Sequence, residues 1–374
     1  MNNLNRPAWV EINLSNLDYN IKQIRSKIGP NRTIIGVIKA DAYGHGASEC
    51  AKVLVNNGVS IFAVATIQEA INLREDGFKE EIIVLGLTPS NLANLIVKYD
   101  ITPLVCSSSN VLAINEEAKK QHKVINGIIA LDTGMGRIGY LADNIDESIN
   151  DIKKYNNLTN FKIRGLLSHM STADEKDKCY SCIQREKYIK FYNALKDNNI
   201  EIPMATLANS ASIMEISNAL FDAVRPGIIL YGYYPSNEVD KHELDIKPVM
   251  SVKAQIVHLK EVPNHTFVGY GRKYESHGTA KIATIEVGYA DGYPRAYSKY
   301  AKVIVNGVVC NVAGNICMDQ CMIDVTNVKD VKLGDEVILM NEEISADYIA
   351  KCTNTINYEV CCGFGMRLPK IYIK

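Results

Sequence analysis

Ile34-Ile35-Gly36-Val37-Ile38-Lys39-Ala40-Asp41-Ala42-Tyr43-Gly44-His45-Gly46 carries an apolar run straight into a lysine and then into glycines. The run is short, apolar and bounded by turn residues, which predicts a buried strand with the lysine at its end. An ammonium in that position is costly. Burial lowers the pKa of an amine and makes it available as a nucleophile or base near neutral pH, so a Schiff base lies within its chemistry. The glycines permit a sharp turn, and Tyr43 and His45 offer polar tips where a phosphate-bearing group would find donors.

Outward from this run, residues 34–232 alternate short apolar stretches with longer amphipathic ones, the pattern of repeated strand and helix units. Eight strands are predicted, at Ile34–Lys39, Ile61–Thr66, Ile82–Gly86, Ile101–Cys106, Ile128–Asp132, Ile163–His169, Ala205–Ser210 and Ala223–Gly227. Segments between them, such as Ile67–Arg74, have helical spacing. Eight is the number that closes an α/β fold into a (β/α)8 TIM-like barrel, whose active site lies on the carboxyl ends of the strands. Lys39, Asp132, His169, Asn209-Ser210 and Arg225-Pro226-Gly227 all fall at predicted strand ends, so they are expected to converge on one mouth.

Beyond about residue 240 the texture changes to valine- and isoleucine-rich runs, at Val249–Leu259, Lys281–Glu286, Lys302–Val309 and Glu336–Met340, with turns such as Asn306-Gly307. Helical signals nearly vanish. The expected organisation is therefore a barrel over 15–240 and a mostly antiparallel β domain over 241–374, joined by an N-terminal strand within 1–14.

The totals exclude several classes of function. A chain of 374 residues is long enough for two cores. Its net charge of -1 leaves no electrostatic footprint for nucleic acid or an anionic membrane. No stretch reaches the roughly 18 apolar residues of a membrane helix, and the start lacks a secretory signal, so a cytoplasmic protein is expected. Ten cysteines are then expected to be reduced thiols. Cys179-Tyr180-Ser181-Cys182 has no second pair to complete a four-ligand zinc site, and Cys361-Cys362 is no better placed, so no metal is expected.

The ten residues Val37–Gly46 closely resemble the pyridoxal-phosphate attachment signature of alanine racemases, and the resemblance runs from Ala8 to Arg367-Leu368-Pro369-Lys370. It implies interconversion of L- and D-alanine, with pyridoxal 5'-phosphate as cofactor and the substrate held on it as an imine. Racemisation needs acid/base groups on both faces of one carbon. The resemblance makes Lys39 one base and Tyr270, in Val268-Gly269-Tyr270-Gly271-Arg272, the other, reaching the site from the second protomer of a homodimer. It places the cofactor on Lys39, Tyr43, His169, Ser210, Arg225, the backbone of Gly227 and Ile228, and Tyr358. Arg225 would bond the pyridine nitrogen and His169 would link it to Tyr270. Arg137, Met318, Asp319 and Tyr289 would meet the substrate, with Tyr289, Tyr270 and Tyr358 narrowing the channel.

Two departures bear on that pattern. Ala130 stands where many members have a lysine, often carbamylated, which leaves Arg137 without its usual anionic partner; a bound anion or another side chain is expected to hold the guanidinium. Asn315 stands where an arginine is common, and a less cationic entrance could admit serine or larger amino acids. Other readings fit less well. Gly134-Met135-Gly136-Arg137-Ile138-Gly139 matches a dinucleotide fingerprint but follows the fifth strand rather than the first. A non-catalytic pyridoxal-phosphate carrier has no need of Tyr270 or a second domain. A barrel decarboxylase would pair the pyridine nitrogen with a carboxylate, whereas Arg225 is a cation.

Overall fold

The computed structural model describes residues 5–365 and 367–374. Strand β1 (Ala8–Asn13) comes first and leads into helix Leu14–Ile28. Eight strands then follow in parallel: β2 (Thr33–Val37), β3 (Ile61–Val64), β4 (Glu81–Leu87), β5 (Thr102–Val105), β6 (Ile125–Asp132), β8 (Phe161–Leu167), β9 (Ala205–Thr206) and β10 (Ala223–Val224). They are hydrogen-bonded in the order β5-β4-β3-β2-β10-β9-β8-β6, and β5 also pairs with β6, so the ring is closed. A two-residue strand, β7 (Tyr140–Leu141), adds to β6. Every residue of β3 and β5 is buried, as expected of parallel strands covered on both faces.

The predicted strands are all present, but several stop short of the residues assigned to them. β2 ends at Val37, β8 at Leu167, β9 at Thr206 and β10 at Val224, so Lys39, His169, Ser210 and Arg225 lie just beyond their strands. The physical reason is the barrel's geometry: where the strands splay at the carboxyl end, the chain leaves the ladder to form loops.

The later part of the chain is mostly antiparallel, as expected. β11 (Met250–Val262) is its spine, with two-residue β12 (Phe267–Val268) and β13 (Tyr274–Glu275), then β14 (Ala280–Ile285), β15 (Lys302–Val305), β16 (Val308–Asn311), β17 (Cys321–Asp324), β18 (Glu336–Met340) and β19 (Lys370–Ile373). β1 lies between β11, antiparallel, and β19, parallel. The run read as Lys302–Val309 is a hairpin, β15 to β16, with Asn306 at φ 49° and Gly307 at φ 76°, the left-handed pair that a two-residue turn requires. Two helices, Ala346–Thr353 and Asn357–Gly363, were not expected here; Tyr358 sits on the second.

The chain divides into two compact units. One is Asp18–Ala42 with Ala47–Ile246; the other combines the residues through Leu17 with Tyr43–Gly46 and Lys247–Lys374. Tyr43–Gly46 groups with the β unit although Lys39 belongs to the barrel unit. Among the described residues no helix is long and apolar enough to cross a membrane.

Candidate active site

The barrel unit gathers its polar groups on the loops that follow the strands. After β2 the backbone turns left-handed: Ala40, Asp41, Ala42 and Tyr43 have φ of 51°, 53°, 55° and 54°. Left-handed L-residues cost roughly 1–2 kcal/mol each, so four in a row persist only if the surroundings hold them. The holding bonds are visible. Ala42 N–H donates to Ile38 C=O at 2.9 Å, Ala47 N–H to Asp41 Oδ1 at 2.8 Å, and Ala40 N–H to Glu69 Oε1 at 2.7 Å. The other Glu69 oxygen accepts from Ala65 and Thr66 N–H at 2.7 and 2.9 Å, while Thr66 caps the helix Ile67–Glu75. One carboxylate therefore ties the loop of Lys39 to the loop after β3.

Arg225 is buried, and its guanidinium donates to Thr206 Oγ1 at 2.7 Å, Ser168 C=O at 2.5 Å and Leu207 C=O at 3.2 Å, with no carboxylate partner among the described residues. Burial lowers its pKa to about 10, which leaves it charged at neutral pH. Its Nη2 also lies 3.4 Å from His169 Nδ1. A guanidinium can only donate, so Nδ1 is the acceptor and the ring proton sits on Nε2. His169 is lowered to about 3 by burial first, then by Arg225, Arg137 and Lys39. All three neighbouring charges are positive. The imidazole is neutral at physiological pH. Ser210 opens helix Ser210–Glu215, capped by Asn209, and its Oγ accepts from Gly227 N–H at 2.9 Å. Val37 N–H donates to Pro226 C=O at 3.1 Å, which brings the ends of β2 and β10 together. Bonds thus pair His169 with Arg225 and Ser210 with Gly227, and the Lys39 charge lies near enough to contribute to lowering His169.

In the β unit, Tyr270 stands in a short 3-10 turn, Tyr270–Arg272, and is 68% exposed. Tyr289 and Met318 are 41% and 53% exposed. Their loops are joined by backbone bonds, Tyr289 N–H to Cys317 C=O and Ala290 N–H to Met318 C=O, both 3.0 Å. Beneath them Asp291 is fully buried, accepting from Arg6 at 2.5 and 2.8 Å and from Gly288 N–H at 2.9 Å. Tyr43 and Tyr358 have ring centroids 6.0 Å apart, and burial pushes the Tyr43 hydroxyl pKa well up, so it stays protonated as a donor.

Residues 12–235 match the alanine racemase N-terminal domain family, and residues 249–372 match its C-terminal domain family. The chain belongs to the alanine racemase family. It is 53% identical to the alanine racemase of Clostridium kluyveri over 373 residues, 99% of this chain and 95% of that one. It is 49% identical to that of Clostridium novyi, over 99% and 96% of the two chains. Among solved structures, the alanine racemase of Clostridium difficile 630 superposes with a TM-score of 0.96 at 40% identity, covering 99% of this chain and 96% of that one. The alanine racemase from Bacillus anthracis with bound L-Ala-P gives 0.92 at 30%, over 99% and 96%.

Against the family pattern, two site residues are placed otherwise than the sequence suggested. Arg137 is exposed, and among the described residues it makes no hydrogen bond or ion pair, so the premise that burial obliges an anion to hold it is corrected. Asp319 is bonded by Arg367 at 2.7 Å. Gly227 N–H is spent on Ser210, leaving the Ser210 hydroxyl proton and the amide of Ile228, first in its own 3-10 turn, as the available donors. The nucleotide fingerprint also fails: no helix opens at Gly134–Gly139, and Asp132 Oδ1 instead accepts from Gly134 and Gly136 N–H. Cys179 and Cys182 are exposed free thiols at a helix start. Sequence reasoning missed Glu69, although Thr66-x-x-Glu69 is a capping-box signature. It also missed Gln184, which is buried and donates to His169 C=O at 3.1 Å and Thr133 Oγ1 at 3.2 Å, and left no periodic signal.

Proposed function

We propose that this chain interconverts L- and D-alanine with two bases, Lys39 and Tyr270, and that pyridoxal 5'-phosphate is its cofactor. The observation that supports the reading is the buried Arg225, a protonated guanidinium held by carbonyl and hydroxyl oxygens with no carboxylate bonded to it among the described residues. Its Nε makes no hydrogen bond among the described residues, so one donor is unspent and fits a neutral ring nitrogen. A decarboxylase-type site would present an anion there instead. On the barrel unit the Ser210 hydroxyl and the Ile228 amide would suit the phosphate, and the family resemblance adds Tyr43 and Tyr358.

When bound, the cofactor draws electrons from the α-carbon of an attached amino acid and so makes its proton removable. The protein's residues do the rest. Lys39 Nζ takes or returns the proton on the face of the D isomer. Tyr270, supplied by the second protomer of a homodimer, serves the L face through its hydroxyl. Arg225 stays protonated and does not surrender its proton to the ring nitrogen, which limits charge accumulation there and disfavours side reactions. His169, proton on Nε2, offers that donor toward the tyrosine oxygen. Arg137 and the Met318 amide would meet the substrate carboxylate, with Asp319 and Tyr289 beside them. Serine is a second substrate to assay, because Asn315 removes a positive charge from the entrance.

Lys39→Ala is expected to abolish the near-visible absorbance of the lysine-bound cofactor while far-ultraviolet dichroism is retained. An unchanged spectrum would place the cofactor on another amine. Racemisation assays across the common amino acids, serine beside alanine, fix the side-chain range.

A further inference from the structure

Tyr270 rides on a backbone with little stiffness of its own. Gly269 (φ 75°) precedes it, Gly271 (φ 73°) and Arg272 (φ 49°) follow, and the turn is closed by one long bond, Arg272 N–H to Gly269 C=O at 3.3 Å. Glycine on both sides leaves the tyrosine more conformations to lose than any other flanking residue would. A second bond comes from outside the turn: Asn315 Nδ2 donates to Tyr270 C=O at 2.8 Å. A Cβ added at Gly271 would meet that same amide at 3.7 Å, so the Asn315 side chain lies against the turn as well as bonding it.

Asn315 is itself firmly seated. Ala313 N–H donates to Met322 C=O at 2.7 Å, Val312 bridges to Ile323, Ile316 N–H donates to Ser298 Oγ at 3.0 Å, and Arg295 donates to Ile316 C=O at 3.1 Å. Gly314 at φ 84° packs so closely that a Cβ there would come within 2.7 Å of Val268 C=O. The loop is a platform fixed to β17, and Asn315 is its contact with the tyrosine's backbone.

We propose that Asn315 is a positioning residue for Tyr270, setting the reach of its hydroxyl and hence the rate of proton transfer on one face of the substrate only. The proposal rests on the reading of Tyr270 as the L-face base. Lys39 lies in the barrel unit on a turn held by Glu69, so nothing in the Asn315 contact bears on it.

The test measures deuterium wash-in from D2O into the unconverted isomer, starting separately from L- and D-alanine, with holoenzyme. Asn315→Asp is nearly isosteric and deletes the donor; Asn315→Ala deletes the side chain. Each is expected to slow exchange into L-alanine by about tenfold, the size of one lost hydrogen bond, and exchange into D-alanine by less than twofold. Tyr270→Phe is run alongside and should show the same asymmetry more strongly. If Tyr270→Phe is asymmetric while both Asn315 variants lose the two rates equally, or lose neither, Asn315 has no positioning role. If Tyr270→Phe slows both isomers alike, the assignment of Tyr270 is wrong and the proposal falls with it.

Discussion

His169 and Arg225 show how two side chains settle the electrostatics of the mouth. The imidazole sits among Arg225, Arg137 and Lys39, and its pKa of about 3 keeps it neutral where a free histidine would titrate near 6.5. Between those values the unfolded chain binds a proton that the native state refuses. Stability therefore falls as pH drops from about 6.5 toward 3 and is independent of this group above 6.5. His169→Asn should flatten the acid limb of a urea-unfolding series on the cofactor-free protein between pH 6.5 and 4. A slope as steep as the parent's would show that the native histidine is protonated after all. Lys39, Tyr270 and Arg225 could be singled out in the sequence because each sits in a local motif. Gln184 and Asn315 bond backbone atoms that are distant in sequence, and only folding brings those atoms near; the capping-box pattern of Glu69 marks a helix start and carries no sign of its bond to Ala40. Arg137 was misjudged because exposure is a property of the surface, which a strand-end position does not reveal.

The left-handed turn is the element on which the lysine depends. Strand count and barrel closure could be read from apolar runs, and β1 and the β15–β16 hairpin announced themselves by alternation and by Asn306-Gly307. The turn could not be read, since Ala-Asp-Ala-Tyr is ordinary right-handed sequence and its handedness is imposed by Ile38, Glu69 and Ala47. The helix bearing Tyr358 escaped for a related reason: at seven residues it is too short for a periodic signal. Ala42 is fully buried at φ 55°, so Ala42→Val would add two methyls to a packed site and a branched Cβ to a left-handed residue. Overpacking costs about 1–3 kcal/mol and the conformation roughly a further 1–2 kcal/mol, which predicts a loss of about 3 kcal/mol in the urea-unfolding free energy. A loss below about 1 kcal/mol would mean that the turn can relax into the right-handed region.

At the scale of the whole molecule, the β unit leaves a group of large side chains uncovered. Tyr270, Tyr289 and Met318 are all exposed, on loops bound to one another, and a monomer has no evident use for such a display. The proposed homodimer would cover it and complete each site. Specific activity is then expected to fall on dilution in step with the loss of dimer in sedimentation, and to return on reconcentration. Full activity from a species that sediments as a monomer would refute the shared site. The fold class, a barrel with a mostly antiparallel β part, was legible from the texture of the chain, and β1 pairs in the later sheet. What lay beyond reach was the reassignment of Tyr43–Gly46, which depends on packing rather than on texture.

The seat of β1 between β11 and β19 sets a timetable for biosynthesis. Asn13 leaves the ribosome some 237 residues before Met250, the first residue of its antiparallel partner. At about 5–20 residues per second that is a wait of roughly 12–47 seconds, during which a buried-type strand, Ala8-Trp9-Val10-Glu11-Ile12-Asn13, has neither neighbour to bond. The barrel can close in that interval. The nascent β1 cannot, and it is there that a crowded cell would first see this polypeptide stick to another.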